Sequence, residues 1–137
     1  SLLEKACLAV ANVTAGDAGN QNAAGRGGGV EAVIAVLKRE QAADSLLEEA
    51  CLLLANMLVD DVQNQMAAGH ADGVEAVIAV LKSEKAADSL LQQALQALTN
   101  MTAGNAENQK AAGRGGGVEV VLAVLMRENA ADSLLEK

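Results

Sequence analysis

The chain has 137 residues and a formal net charge of −8, and 51% of it is hydrophobic although it has no Phe, Tyr, Trp or Pro. This length fits one domain with an aliphatic core, and an acidic chain without aromatic rings lacks both the cationic grip and the stacking surfaces that nucleic acid needs. The same charge disfavours an anionic membrane surface, and the longest apolar run, residues 30–37, is interrupted by Glu31 and has about half the length of a membrane-spanning helix.

Read from its start, the chain repeats itself. SLLEKACLAVAN opens at Ser1, SLLEEACLLLAN at Ser45, SLLQQALQALTN at Ser89 and SLLEK at Ser133, a step of 44 residues without insertion. Of the 44 positions in the first unit, 29 are identical in the second and 30 in the third, so the units share one architecture. The chain therefore reads as a single array over 1–137, with units 1–44, 45–88 and 89–132 and a truncated fourth at 133–137. A period of this length falls in the range of helical pairs and triplets. Near-identical units arise by recent duplication or by engineering.

Each unit opens with a long amphipathic helix. Leu3, Ala6, Cys7 and Val10 fall at helical spacing, as do Leu47, Ala50, Cys51 and Leu54. Ser45 with Glu48 and Ser89 with Gln92 are placed as N-terminal capping pairs. Gly16 and Gly104 close this helix in left-handed conformation, with Asp60 replacing them in the second unit. An Ala-rich stretch follows at 20–25, 64–69 and 108–113, sufficient for a turn or two of helix. After a glycine turn, Val30, Val33, Ile34 and Leu37 mark a second helix, repeated by Val74, Val77, Ile78 and Leu81 and by Val118, Val121, Leu122 and Leu125. This helix is expected to be the most buried. Cys7 and Cys51 occupy one position that accepts Leu95 in the third unit, which reads as packing; equivalent points on stacked helices lie too far apart for a disulfide.

The A-x-x-x-L/V-x-N core of the long helix, the N-Q of the short segment and the G-V-E after the glycine turn together resemble the armadillo repeats of beta-catenin and the importin alpha adaptors. The resemblance covers the whole chain and implies an all-α, right-handed α-solenoid with short, medium and long helices in each repeat. It places the long helices, here at about 2–15, 46–59 and 90–103, along a concave groove, with the start of a fourth at 133–137.

The same resemblance assigns Asn12, Asn56 and Asn100 to an asparagine ladder. A side-chain amide offers two donors and one acceptor, so it can pair with the backbone of an extended peptide without reading its sequence. The alternative is that each asparagine bonds to its own neighbouring loop. Four residues before each asparagine, where importin-like repeats carry tryptophan, stand Leu8, Leu52 and Gln96; seven before stand Lys5, Glu49 and Gln93. These departures remove the aromatic slots for lysine and leave no single sign of charge, so ligand identity does not transfer with the family.

The expected function is a protein–protein interaction scaffold that binds an extended peptide or partner protein, with a slight bias to basic or apolar segments. Neither an enzyme activity nor a cofactor, metal, nucleic-acid or membrane partner is expected. The run Gly25-Arg-Gly-Gly-Gly29, repeated at 113–117, lacks the following G-K-[S/T] of a phosphate loop and reads as a turn. Arg26, His70 and Arg114 read as solvated turn residues, and His70 has no nucleophile beside it. Glu31, Glu75 and Glu119 complement the dipole of the medium helices. With no basic region before an apolar stretch at its start, the chain reads as intracellular, cytoplasmic or nuclear. A second reading is a structural or self-associating module without a dedicated peptide groove, a homo-oligomer stacked head to tail through uncapped ends, with 133–137 imitating the 1–5 segment of another copy.

Overall fold

A computed structural model describes residues 1–135. Among these residues the fold is all-helical, with nine α-helices and no strand. In chain order they are α1 (Leu2–Thr14), α2 (Ala18–Arg26), α3 (Gly29–Leu37), α4 (Asp44–Leu58), α5 (Val62–His70), α6 (Gly73–Leu81), α7 (Asp88–Thr102), α8 (Ala106–Arg114) and α9 (Gly117–Leu135). The long helices lie side by side, α1 against α4 and α4 against α7, while α3 and α6 pack on the long helix that follows each. The three sequence units therefore stack, and one apolar core runs through them.

The chemistry of the helix ends explains most boundaries. Gly16 (φ 70°), Asp60 (φ 53°) and Gly104 (φ 66°) turn the chain out of the long helices, as the sequence predicts. The short helices are longer than expected, nine residues each, because Asp17, Asp61 and Asn105 cap them by accepting from the N–H groups of Asn20 (2.9 Å), Asn64 (3.0 Å) and Asn108 (2.9 Å). Gly28 (φ 83°), Asp72 (φ 61°) and Gly116 (φ 85°) then reverse the chain into the medium helices.

The capping pairs at Ser45 and Ser89 do not form. Both serines lie inside helices that start at Asp44 and Asp88, behind Ala43 and Ala87. The Ser45 hydroxyl instead donates to Glu4 Oε1 (2.7 Å), and the Ser89 hydroxyl donates to Glu48 Oε2 (3.0 Å). The N–H of Ala87 is satisfied by Asp44 Oδ2 of the preceding unit (3.1 Å). Starting earlier thus exchanges a cap within the unit for links between units, and it leaves Glu48 to the neighbouring serine.

In the middle unit, Leu46, Leu53, Leu54, Met57 and Leu58 of α4 are buried, each a contribution of about 1.5–3 kcal/mol. The expectation for the medium helix holds in that unit, where Gly73, Val74, Ala76, Val77, Ile78, Val80 and Leu81 of α6 are all buried. It fails in the third, where Val118, Leu122 and Leu125 are exposed. Cys7 and Cys51 are buried free thiols, and Leu95 is half-buried. Burial pushes the Cys51 thiol up to about 12, with the charge of Glu48 adding to it.

The largest departure is at the end of α9. The sequence predicts a break and a new long helix at 133, whereas α9 continues unbroken to Leu135. Nothing in 126–135 is a helix breaker, and no later unit within the described residues packs there to bend the chain. Of the truncated fourth unit, residues 136 and 137 lie outside the described residues.

Candidate functional site: the face of the long helices

Helical spacing of three and four residues brings Lys5, Leu8 and Asn12 onto one stripe of α1. The 44-residue period repeats that stripe as Glu49, Leu52 and Asn56 on α4 and as Gln93, Gln96 and Asn100 on α7. Because α4 lies between α1 and α7, the nine side chains form a three-by-three grid across adjacent helices. Lys5, Leu8, Asn12 and Gln96 are exposed, and the other five are half-buried. One lysine and one glutamate are its charged members, so the grid carries no dominant sign. A cleft of about 170 Å³ opens at its edge, lined by Ser1, Glu4, Lys5, Leu8, Ser45 and Glu49. The Ser45 hydroxyl and the N-terminal amine hold the Glu4 carboxyl below its ordinary value. Burial, then the charge of Glu49, raises the Cys7 thiol, and Glu49 Oε2 is buried without a hydrogen-bond partner among the described residues.

The asparagines do something that neither sequence reading foresees. Asn56 Nδ2 donates to the carbonyl of Ala11 (3.1 Å) and Asn100 Nδ2 to that of Ala55 (2.9 Å), each reaching back to the preceding long helix rather than to its own loop. Asn100 Oδ1 also accepts from Gln96 Nε2 (3.0 Å). Asn12, on the first long helix, is exposed and makes no side-chain hydrogen bond among the described residues. An amide bound through one N–H keeps its second N–H, and Asn56 keeps its carbonyl oxygen as well. The inter-helix bond fixes the side chain without exhausting it.

A second set of amides, absent from the sequence-based candidates, pins the same positions from behind. Gln21 Nε2 donates to the carbonyl of Asn56, and Gln65 Nε2 donates to that of Asn100 (3.1 Å) and that of Leu58 (3.2 Å). Asn64 Nδ2 bridges the carbonyls of Gln21 (3.0 Å) and Met57 (2.8 Å), and Asn108 Nδ2 bridges those of Gln65 (3.0 Å) and Met101 (2.8 Å). Gln21, Asn64, Gln65 and Asn108 are buried, so each bond relieves a polar group that would otherwise be costly. The signal was the N-Q pair recurring at 20, 64 and 108. A Cβ on Gly25 or Gly69 would overlap Asn64 Oδ1 or Asn108 Oδ1, so glycine there admits the amide of the next unit.

The glycine-rich runs form turns. Gly27 ends α2, Gly28 is left-handed and Gly29 begins α3. Glu31, Glu75 and Glu119 stand in the first turns of α3, α6 and α9, and Arg26, His70 and Arg114 are exposed at the ends of the short helices. Among the described residues, no three His, Cys, Asp or Glu side chains are grouped to hold a metal ion, and no helix is long and apolar enough to cross a membrane.

No protein-family model matches the chain, and no curated protein does. Two crystal structures of engineered proteins from the Northeast Structural Genomics Consortium are similar to it. One is 30% identical, superposes with a TM-score of 0.81 and is matched over 89% of this chain and 48% of its own length. The other is 22% identical, with a TM-score of 0.79 and coverage of 89% and 49%. The chain thus spans about half the length of these proteins, and the likeness supports its all-helical fold.

Proposed function

We propose that the chain is an armadillo-type α-solenoid that holds a partner protein by an extended segment laid across the face of α1, α4 and α7. The observation that carries this reading is the grid, in which Asn56 and Asn100 are held in register by side-chain bonds to the preceding helix and by buried glutamines on their backbone carbonyls, with Asn12 exposed at the equivalent position. Holding the amides in advance removes part of the ordering cost of binding. Neighbouring long helices are spaced about 8–10 Å apart, so one step spans roughly three residues of extended chain. Three rungs then engage a segment of about seven to nine residues.

Selectivity comes from Leu8, Leu52 and Gln96 with Lys5, Glu49 and Gln93. The two leucines favour apolar side chains, and the acidic net charge speeds encounter with basic segments. The role is binding rather than catalysis, without a cofactor.

Selection from a random peptide library, followed by titration of the winning peptide, tests the proposal. Leu8→Glu with Leu52→Glu, both on the face and away from the inter-unit bonds, is expected to weaken that peptide at least tenfold with helicity unchanged. Undiminished affinity in this double variant overturns the reading.

A further inference from the structure

The middle unit differs from its neighbours along the edge formed by the short helices. At the turn out of the long helix and on the short helix that follows, the first unit carries Ala15, Ala18 and Asn22 and the third carries Ala103, Ala106 and Lys110. The middle unit carries Val59, Val62 and Met66 at these places. They are 42%, 63% and 44% exposed, so they add little to the core, and valine forms helix less readily than alanine. Folding alone does not call for them. Helix α5 packs between α2 and α8, so its outer face is open although both of its neighbours are in place.

Val62 and Met66 stand one turn apart on α5, and the next turn of the same stripe brings His70. Met66 and His70 line a cleft of about 330 Å³ between the middle and third units, together with Asp72, Glu75, Glu107 and Arg114. Three carboxylates thus stand there against one guanidinium. Asp72 has Lys38 at 3.6 Å, and neither Glu75 nor Glu107 forms an ion pair among the described residues. At the equivalent step between the first and middle units stand Asn22, Arg26, Gly28, Glu31, Gln63 and His70, so only Glu75 of the three carboxylates has an acidic counterpart, Glu31. Asp61, in the place of Asn105, is engaged there as the cap of α5. The apolar stripe and the acidic cleft therefore meet at one step of the array.

The cleft holds a further acceptor. Asn108, 3% exposed, donates both N–H groups of its side-chain amide to the carbonyls of Gln65 and Met101. Its Oδ1 lies beside Gly69, where both residues line the cleft, and accepts no hydrogen bond among the described residues. Carboxylates and an amide oxygen are acceptors, and their complement is a cation with several donors. A guanidinium, planar and with five N–H groups, can pair with two or more of them at once, which an ammonium does less well.

We infer that this edge of the middle unit docks an amphipathic helix of a partner protein. Two apolar side chains of that helix, one turn apart, pack on Val62 and Met66. The next side chain on the same face is an arginine, which enters the cleft among Asp72, Glu75, Glu107 and the Oδ1 of Asn108. A helix is the matching element because the stripe on α5 advances by one helical turn per contact, and a helix laid along it presents side chains at the same step. Charge selects the occupant. A second copy of this chain, with a net charge of −8, meets the edge with the wrong sign, as does any nucleic acid. The edge belongs to α5, α6 and α8, so it is separate from the grid on the long helices and can be occupied while the grid is.

The probe is a stapled helical peptide of about 15 residues, with leucines one turn apart and an arginine one turn further on a background of alanine and glutamine. Its binding to the full chain is followed by fluorescence anisotropy, and the methyl resonance of Met66 is followed by nuclear magnetic resonance. Saturable binding that shifts the Met66 methyl is expected. Val62→Ala with Met66→Asn, which installs the residues of the first unit, is expected to weaken it about tenfold or more with helicity unchanged. Asp72→Gly with Glu107→Gln, which installs the residues of the equivalent turn and short helix, is expected to weaken the arginine peptide but not a peptide with glutamine in place of the arginine. Leu8→Glu with Leu52→Glu, on the grid, is expected to leave this binding unchanged, so the two faces fail separately. No saturable binding up to millimolar peptide, a Met66 methyl that stays in place, or undiminished affinity in either edge variant overturns the inference. Equal affinity for the arginine and glutamine peptides overturns it as well.

Discussion

Residues 38–43 read KREQAA and residues 126–131 read MRENAA, nearly the same sequence with opposite outcomes. The first stretch ends one helix and leads into α4, with Ala43 in extended conformation (φ −66°, ψ 151°), whereas the second is uninterrupted helix within α9. Neither holds Gly or Pro, so local preference favours helix in both. The difference lies in the chain beyond each stretch and the surface open to it. Bending at 38–43 lets α4 lay Leu46, Leu54 and Met57 against the preceding unit, a gain of several kcal/mol by about 25 cal/mol per Å² of buried apolar surface. Beyond 131 only four described residues follow, too few to lay a long helix over the exposed Val118, Leu122 and Leu125. The break is a product of packing, and the interior and the ends of the array obey different rules.

The largest expected contrast between these regions is in the core. Leu54→Ala, at a fully buried position of α4, should cost about 2–5 kcal/mol, while Leu125→Ala on the open face of α9 should cost well under about 1 kcal/mol. Urea midpoints at constant slope measure both. Near-equal losses would show that the third unit is as well packed as the second.

Next in size are the inter-unit amides. Asn64→Ala removes the donor to two buried carbonyls, at a cost of about 2 kcal/mol, whereas Asn20→Ala removes one exposed bond and should cost less than half of that. Glycine gives a change of sign at equivalent positions. Gly69→Ala collides with Asn108 and should destabilise by about 1–3 kcal/mol; Gly113→Ala meets nothing within 4 Å in α8 and should stabilise by up to about 1 kcal/mol. Thermal unfolding of the four variants decides whether the next unit, rather than the local helix, sets these costs.

These contrasts also show what a sequence can convey. The period gave the units, and the spacing of Val30, Val33, Ile34 and Leu37 gave the medium helix, because both are properties of residues near one another in the chain. The turns at Gly16, Gly28 and Gly104 were legible because few residues other than glycine tolerate φ above zero. The caps Asp17, Asp61 and Asn105 escape a reading of apolar periodicity, which the short helices barely possess. Local sequence makes Ser45 and Ser89 look like caps, whereas their actual partners, Glu4 and Glu48, lie 41 residues away. Of the candidate site, the nine grid positions could be named in advance, whereas the anchoring of Asn56 and Asn100 by groups 35 and 45 residues away could not.

The remaining contrasts concern the Cys51 thiol and the free end of α9. Cys51, pushed up to about 12, ionises in the unfolded chain near its ordinary value of about 9 but not in the folded one. Its contribution to stability is therefore complete below pH 9 and declines as pH rises towards 12. Urea midpoints between pH 8 and 11 should fall for the wild type and fall less steeply for Cys51→Val. Arg127→Pro, in the exposed part of α9, should remove helical signal from 126–135 while leaving the unfolding midpoint almost unchanged.

The proposed peptide face is tested most directly through the side-chain amide resonances of the asparagines, followed by nuclear magnetic resonance during titration with a library-selected peptide. The account predicts that the NH2 signals of Asn12, Asn56 and Asn100 shift together at saturation, while those of Asn64 and Asn108, buried and bonded to two carbonyls each, stay in place. A bound peptide that leaves Asn12, Asn56 and Asn100 unmoved and shifts residues elsewhere contradicts it.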